Sequence, residues 1–259
     1  MPLMPAIFFG HGNPMNAVSQ NRYTEAWSRL GREVRRPQAI LCISAHWYTN
    51  QTGVTITTSP RTIHDFSGFP RELYRVQYPA PGDPDLARRV QALLAPLPVQ
   101  LDESWGLDHG AWSVLTHVYP AADIAVVELS IDASQPASFH YEIGRRIAPL
   151  RDENILIAGS GNLVHNLRAM DWSGQTAGPY DWAARFEEQA RLMILAGEHK
   201  PLIAYQKLGS DALLAAPTPD HFLPLMHVLG AQQSADRVTF PVEGAEGGSI
   251  SMLAVKIGG

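Results

Sequence analysis

Short apolar runs alternate with longer amphipathic segments along this chain. Four of the runs are largely apolar and predict strands buried on both faces: 5–9, 38–44, 124–129 and 155–158. Between the runs, apolar residues recur at helical spacing, most clearly over 134–150 and 181–196. This alternation predicts an α/β protein folded as a three-layer α/β/α sandwich.

The C-terminal part of the chain modifies this picture. Strands are predicted over 238–242 and 249–257, and a glycine-rich turn at 244–248 separates them. So tight a connection indicates an antiparallel pair, and we therefore expect a mixed, mostly parallel central sheet. The chain shows neither internal repeats nor low-complexity linkers, so we expect residues 1–259 to form a single catalytic domain.

Composition excludes several classes of function. The 259 residues are 45% hydrophobic and 17% charged, which is ordinary for a globular protein. A formal net charge of −5 argues against a nucleic-acid partner, which would require a basic stripe. We expect a cytoplasmic protein with no membrane association, because neither a signal peptide nor a long apolar run is evident. The single cysteine, Cys42, lies in a predicted strand and permits no disulfide.

Histidines follow three of the predicted strands on their C-terminal side. These are His11, His46 and His165. Ligands bind at the carboxyl ends of the strands in open α/β sheets, so we expect the three imidazoles at one edge of the sheet. Taken alone, His11 could be a packed core histidine. The flanking Gly10 and Gly12, however, would let a ligand or another backbone segment approach it closely.

Two further histidines are predicted near helix starts. His221 is expected in the first turn of a helix running over 218–229, where the positive end of the helix dipole favours a neutral, ligating ring. His109 is expected in a loop just before a helix over 111–119, where the neighbouring Asp108 could orient it. Either histidine alone could serve as a cap or a simple hydrogen-bonding group. Five histidines at one sheet edge indicate chemistry.

The histidine spacing matches none of the short zinc motifs, which fits a site assembled from several loops. A set of imidazoles suits zinc, iron or copper rather than magnesium or calcium. Three of them would leave positions on the metal open, and the remaining histidines would act as acid and base.

Six segments, spread over nearly the whole chain, resemble the class III extradiol ring-cleavage dioxygenases, the LigB-like family, and within it the DOPA 4,5-dioxygenase group. In order they are GHGNP (10–14), SAHW (44–47), IHDFSGFP (63–70), DHGAW (108–112), GSGNLVHNL (159–167) and TPDHFLPL (218–225). The resemblance implies a metal-dependent enzyme that opens the ring of a catechol beside its hydroxyl groups and incorporates both atoms of O2. L-DOPA is the expected substrate.

The resemblance also implies the site. One mononuclear divalent metal, Fe(II) or Zn(II), would be held by His11, His46 and His221. His165 would act as the base that deprotonates the catechol or as a fourth metal ligand, and His109 would act as the proton donor. The broader class often uses two histidines and one carboxylate as ligands. A carboxylate could therefore replace the third histidine, and the candidates are Asp220 and Glu243.

A long loop is predicted over 59–81, and long loops inside compact domains are often functional. Its part over 64–74 is the expected substrate wall. Aromatic side chains, including Tyr74, would stack on a catechol ring, and His64 or Arg71 could meet a carboxylate. Alternatively, the loop is a surface segment held in place by its own Phe66 and Phe69.

Two other functions remain open at this point. A zinc hydrolase would use a metal-bound water with imidazole bases. A non-catalytic ligand-binding relative would keep the fold, although such a protein would not need both His109 and His165. The sequence does not determine the oligomeric state, and a monomer is feasible.

Overall fold

The computed structural model describes residues 3–176 and 178–259. The strands are β1 (Ala6–Gly10), β2 (Ala39–Ser44), β3 (Tyr48–Thr49), β4 (Gly53–Thr55), β5 (Gln100–Asp102), β6 (Ala125–Glu128), β7 (Ile131–Asp132), β8 (Ile155–Gly161), β9 (Val238–Val242), β10 (Ala245–Glu246), β11 (Ile250–Ser251) and β12 (Ala254–Ile257). The α-helices are α1 (Arg22–Glu33), α2 (Pro84–Leu94), α3 (His109–Val118), α4 (Ala137–Ile147), α5 (Asp181–Ala196), α6 (His199–Ile203), α7 (Ser210–Ala215) and α8 (Leu223–Gly230).

A six-stranded sheet in the order β6-β2-β8-β1-β12-β9 forms the centre of the fold. The neighbours β6, β2, β8 and β1 run parallel to one another. Strand β12 is antiparallel to both β1 and β9. The predicted mixed, mostly parallel sheet is confirmed, including the antiparallel pair near the C-terminus.

Helices cover both faces of this sheet. On one face, side chains such as Phe8 and Ile157 pack against residues of α2, α4, α5 and α8. On the other face, Ile7 and Leu156 pack against residues of α1 and α3, including the fully buried Trp27. The alternation of neighbouring residues between two cores follows from the two-residue period of a strand. The result is the predicted three-layer sandwich.

The parallel strands bring their carboxyl ends together. Gly10 at the end of β1 is paired with Gly161 of β8, and Ser44 at the end of β2 is paired with Ser160 of β8. The segments that follow these three strands therefore start side by side.

Two helix boundaries differ from the prediction. The helix expected over 218–229 begins only at Leu223. The residues before it form a turn, in which the carbonyl oxygen of Pro219 accepts hydrogen bonds from the backbone N–H groups of Phe222 and Leu223. His221 lies in that turn, so the prediction that it occupies the first turn of a helix was wrong. The helix expected over 111–119 runs instead from His109 to Val118, so the prediction that His109 lies in a loop before the helix was wrong: it begins the helix, directly after the cap residue Asp108.

The described helices include none that is long and apolar enough to span a membrane. A cytoplasmic location stays a prediction.

Candidate active site

His11 directly follows β1 and is almost completely buried. Its Nδ1 lies 2.9 Å from Ser160 Oγ, and that hydroxyl donates its hydrogen to the Gly110 carbonyl oxygen at 2.6 Å. Since Ser160 has no second hydrogen to give, it accepts from His11, whose proton is therefore on Nδ1. Nε2 of His11 is left with a free lone pair.

His46 faces His11 from the end of the neighbouring strand. The two Nε2 atoms are 3.2 Å apart, and His46 Nδ1 lies 3.3 Å from Asp65 Oδ2. A carboxylate only accepts hydrogen bonds, so this close contact also favours the His46 proton on Nδ1. Two nitrogen lone pairs therefore point at each other, and they repel unless they share a proton or a metal ion.

His221 completes a nearly regular triangle of rings. Its ring centroid is 5.2 Å from that of His11 and 5.1 Å from that of His46, while the His11 and His46 centroids are 5.1 Å apart. His221 Nδ1 contacts Asp220 Oδ2 at 2.5 Å, which again leaves Nε2 free. All three imidazoles thus have an oxygen partner on Nδ1, as is usual for metal-ligating histidines.

The arrangement fits a divalent transition metal. Two nitrogens at about 2.0–2.1 Å from one zinc ion lie roughly 3.0–3.4 Å apart, which matches the separation of the His11 and His46 Nε2 atoms. Burial, and then the nearby His221, lowers the pKa of His11 well below its usual range, so this ring is neutral and able to ligate. Two groups of ligand atoms lie within 4.8 Å of one another: His11, His46 and His109, and separately His165, Asp220 and His221.

His109 and His165 lie against different members of the triangle. The His109 ring centroid is 3.8 Å from that of His46, and the His165 ring stacks on His221 at 3.5 Å. Burial, followed by the proximity of His221, lowers the pKa of His165 to about 3. The structure therefore brings all five predicted histidines together.

Asp65, rather than Asp108, orients His109. Asp65 accepts hydrogen bonds from the backbone N–H of His109 at 3.0 Å and from its Nδ1 at 2.9 Å. Burial alone would raise the pKa of Asp65, but the hydrogen bonds from His109 lower it, so the carboxylate is charged. Asp108 instead caps α3 through the Ala111 N–H and accepts a hydrogen bond from Ser44. The prediction that Asp108 orients His109 was wrong, because a cap directs its carboxylate to backbone amides.

The two carboxylates considered as alternative ligands have different positions. Asp220 lies beside His221 as its Nδ1 partner. Glu243 forms an exposed ion pair with Arg191 at 2.6 Å. Glu243 is therefore not part of the histidine cluster.

A cavity of about 270 Å³ opens onto the cluster. Apart from the five histidines its walls are mainly apolar, with Phe66 and Phe69 from the long loop, and Leu167, Met170, Trp172 and Ile250 from segments late in the chain. Trp172 is 68% exposed although it lines the cavity, so it lies at the entrance.

The predicted substrate-binding residues are not among the residues that line this cavity. His64 lies 3.1 Å from the Val76 carbonyl oxygen through Nε2, and its ring lies beside those of Tyr74 and Trp112. Arg71 is exposed. The long loop supplies a wall as expected, but it does so through Phe66 and Phe69. Roles for His64, Arg71 and Tyr74 stay predictions.

Several functional residues were missed from the sequence. Ser160 lies in the glycine-rich segment over 159–167, and Glu246 lies in the glycine-rich turn over 244–248. Asp65 lies within a segment that carries the family resemblance, and its position beside His64 was the available signal.

The chain is similar to known proteins over nearly its whole length. The family described as the catalytic LigB subunit of aromatic ring-opening dioxygenase matches residues 5–247. The chain is 52% identical to 4,5-DOPA dioxygenase extradiol of Escherichia coli K12, over 98% of this chain and 95% of that protein. It is 37% identical to the Beta vulgaris protein of the same name, over 96% of this chain and 95% of that protein.

A solved structure shares the fold. It is the crystal structure of an uncharacterised Escherichia coli K12 protein, which superposes with a TM-score of 0.87 at 49% identity and covers 98% of this chain and 100% of that one. The chain therefore belongs to the LigB family, and it is an extradiol ring-cleaving dioxygenase.

Proposed function

We propose that this enzyme is a metal-dependent dioxygenase that cleaves L-DOPA between carbons 4 and 5 of its ring, giving a seco-DOPA aldehyde. The observation that carries the proposal is the triangle of His11, His46 and His221, whose Nε2 atoms are left free by oxygen partners on Nδ1. The relatives named 4,5-DOPA dioxygenase extradiol support the choice of substrate.

In this proposal the three imidazoles of the triangle hold one divalent metal. We propose Fe(II) as the active ion rather than Zn(II), because ring cleavage by O2 requires redox chemistry that zinc lacks. When bound, the metal supplies a Lewis-acidic, redox-active centre for a catechol and O2. We further propose that residues 1–259 act as one catalytic domain, because His11 and His221 come from distant parts of the chain.

His165 is the proposed base. Its ring is neutral, because burial and the neighbouring His221 hold its pKa at about 3, and so it is free to accept a proton from a catechol hydroxyl. Its main chain is fixed by two partners, since the His165 N–H donates to Ala215 and His165 bridges to Ile250. This rigidity keeps the ring against His221.

His109, whose ring lies against that of His46, is the proposed proton donor. Asp65 contacts Nδ1 of both His109 and His46, so it orients both rings and leaves Nε2 of His109 to face the substrate. The apolar walls of the cavity exclude water from the reacting oxygens.

Oxygen uptake tests the proposal. Protein stripped of metal and reloaded with Fe(II) should consume one O2 per L-DOPA and give a coloured product after the aldehyde cyclises. Zn(II)-loaded protein should consume none. The proposal fails if the Fe(II) protein consumes no catechol, and ester hydrolysis that persists without oxygen would favour a zinc hydrolase instead.

A further inference from the structure

Glu246 places a carboxylate in the wall of the same cavity. It ends the short strand β10, which pairs with β11. Its Oε2 accepts the Asn13 backbone N–H at 2.9 Å, and its Oε1 accepts a hydrogen bond from Asn16 Nδ2 at 2.9 Å. Two donors fix its orientation, and each oxygen retains a lone pair for another donor.

The negative charge of Glu246 has no cationic partner within the described residues. It takes part in none of the ion pairs found there, and the cavity walls in that part of the chain include neither lysine nor arginine. A partly buried carboxylate without a counter-ion is costly, and burial accordingly raises the pKa of Glu246 against the effect of its two donors. A cation that entered the cavity would relieve this cost.

We propose that Glu246 binds the ammonium group of the substrate, so that the enzyme selects catechols carrying a cationic amine on their side chain. The inference rests on the proposed function and adds a determinant of specificity to it. The aromatic ring would occupy the apolar part of the cavity with its hydroxyl groups toward the histidines, while the amine reaches Glu246. Catechols that carry only a carboxylate meet no lysine or arginine among the described lining residues and are disfavoured.

A purely structural role makes a different prediction. Glu246 also holds the turn that contains Asn13 and Asn16, next to His11. If that were its whole role, its loss would weaken every ligand equally. The substitution Glu246→Gln keeps the size of the side chain and an acceptor for the Asn13 N–H, and removes the charge.

Binding of two phenols separates these roles without turnover. Tyramine and 4-ethylphenol share the aromatic ring and differ by the ammonium group, and neither carries the second hydroxyl that ring cleavage requires. Calorimetric titration of the protein as purified should show tyramine binding at least about tenfold more tightly. E246Q should remove this preference, whereas Glu243→Gln, a control at an exposed carboxylate, should preserve it. Equal binding of both phenols by the unsubstituted protein would overturn the proposal.

Turnover gives the second measurement. E246Q should lower kcat/KM for dopamine by about tenfold or more and change it less than about twofold for 4-ethylcatechol. An equal fall in kcat/KM for both substrates would show that Glu246 only supports the turn. No change for either substrate would refute amine recognition as well. If the unsubstituted enzyme does not cleave L-DOPA, the proposed function fails, while the comparison of tyramine with 4-ethylphenol still tests the role of Glu246.

Discussion

The imidazole ring of His165 lies flat against that of His221, with ring centroids 3.5 Å apart and planes within 5° of parallel. Stacking on His221 positions His165, and no hydrogen bond from the described residues occupies either of its ring nitrogens, so both remain available to the substrate. Of the five histidines, His165 is therefore suited to a proton-transfer role beside a proposed metal ligand.

Replacing His165 with alanine should lower kcat by roughly 10²–10⁴-fold, the usual contribution of a general base. Metal content, measured by elemental analysis, should stay at the level of the unsubstituted protein. His199→Gln, at a buried histidine not among the cavity-lining residues, should change neither quantity much. Loss of metal together with activity would make His165 a ligand, and unchanged turnover would remove it from the mechanism.

Asp65 should control two histidines at once. Asp65→Asn removes the charge that orients His46 and His109, so we expect metal affinity and kcat each to fall by about 10–100-fold. Competition with a chelator measures the first, and oxygen uptake the second. Asp83→Asn, at the half-buried N-cap of α2, is the matched control, because asparagine caps a helix about as well as aspartate does. Unchanged metal affinity in the Asp65 variant would show that His46 does not need this partner.

Gly161 should tolerate no side chain. A Cβ atom there would lie 2.2 Å from the carbonyl oxygen of His221, so Gly161→Ala must displace the turn that carries His221. We expect a loss of about 1–3 kcal/mol of unfolding free energy, typical of overpacking, together with weaker metal binding. At Gly178 a Cβ would meet no atom within 4 Å, and Gly178→Ala should leave both unchanged. Normal metal binding by the Gly161 variant would mean that the turn adapts.

A second pair of histidines should make stability depend on pH. His140 and His227 are buried between α4 and α8 with ring centroids 5.1 Å apart, and each lies within hydrogen-bonding distance of a backbone carbonyl. Burial lowers the pKa of His140 to about 4, and burial and then His140 lower that of His227 well below its usual range. In the folded protein these two imidazoles therefore stay neutral at pH values where the same histidines of the unfolded chain bind protons, below about pH 6.5.

Stability should consequently be highest above about pH 6.5 and fall as the pH decreases toward 4, with His140 alone accounting for about 3 kcal/mol. Urea unfolding at several pH values measures this slope. His140→Gln keeps a hydrogen-bond donor and should flatten the curve by the contribution of one proton. If its slope equals that of the unsubstituted protein, His140 titrates normally in the folded state.

The features that were predictable from sequence depend on strand periodicity. Three parallel strands with histidines after their carboxyl ends must place those histidines at one edge, and the structure has His11, His46 and His165 there. Positions set by loops could not be predicted in the same way. Asp65 reaches His109 across 44 residues of sequence, and no local pattern encodes that contact. The sequence around Glu246 is typical of a solvated turn. Glu246 lines the cavity in a strand, β10, whose pairing with β11 the sequence does not predict.

The pairing of β1 with β12 determines when the site can form. Ala6 is paired with Ile257, and β1 also needs β8 on its other side before His11 has its Ser160 partner. Contacts between such distant segments form late, because closing long loops is slow and costs entropy. On a ribosome, nearly the whole chain must emerge before the strand that carries His11 is enclosed. The completed site therefore becomes available to a metal ion only after most of the chain has been synthesised, and a shorter nascent chain holds His11 without the partner that orients it.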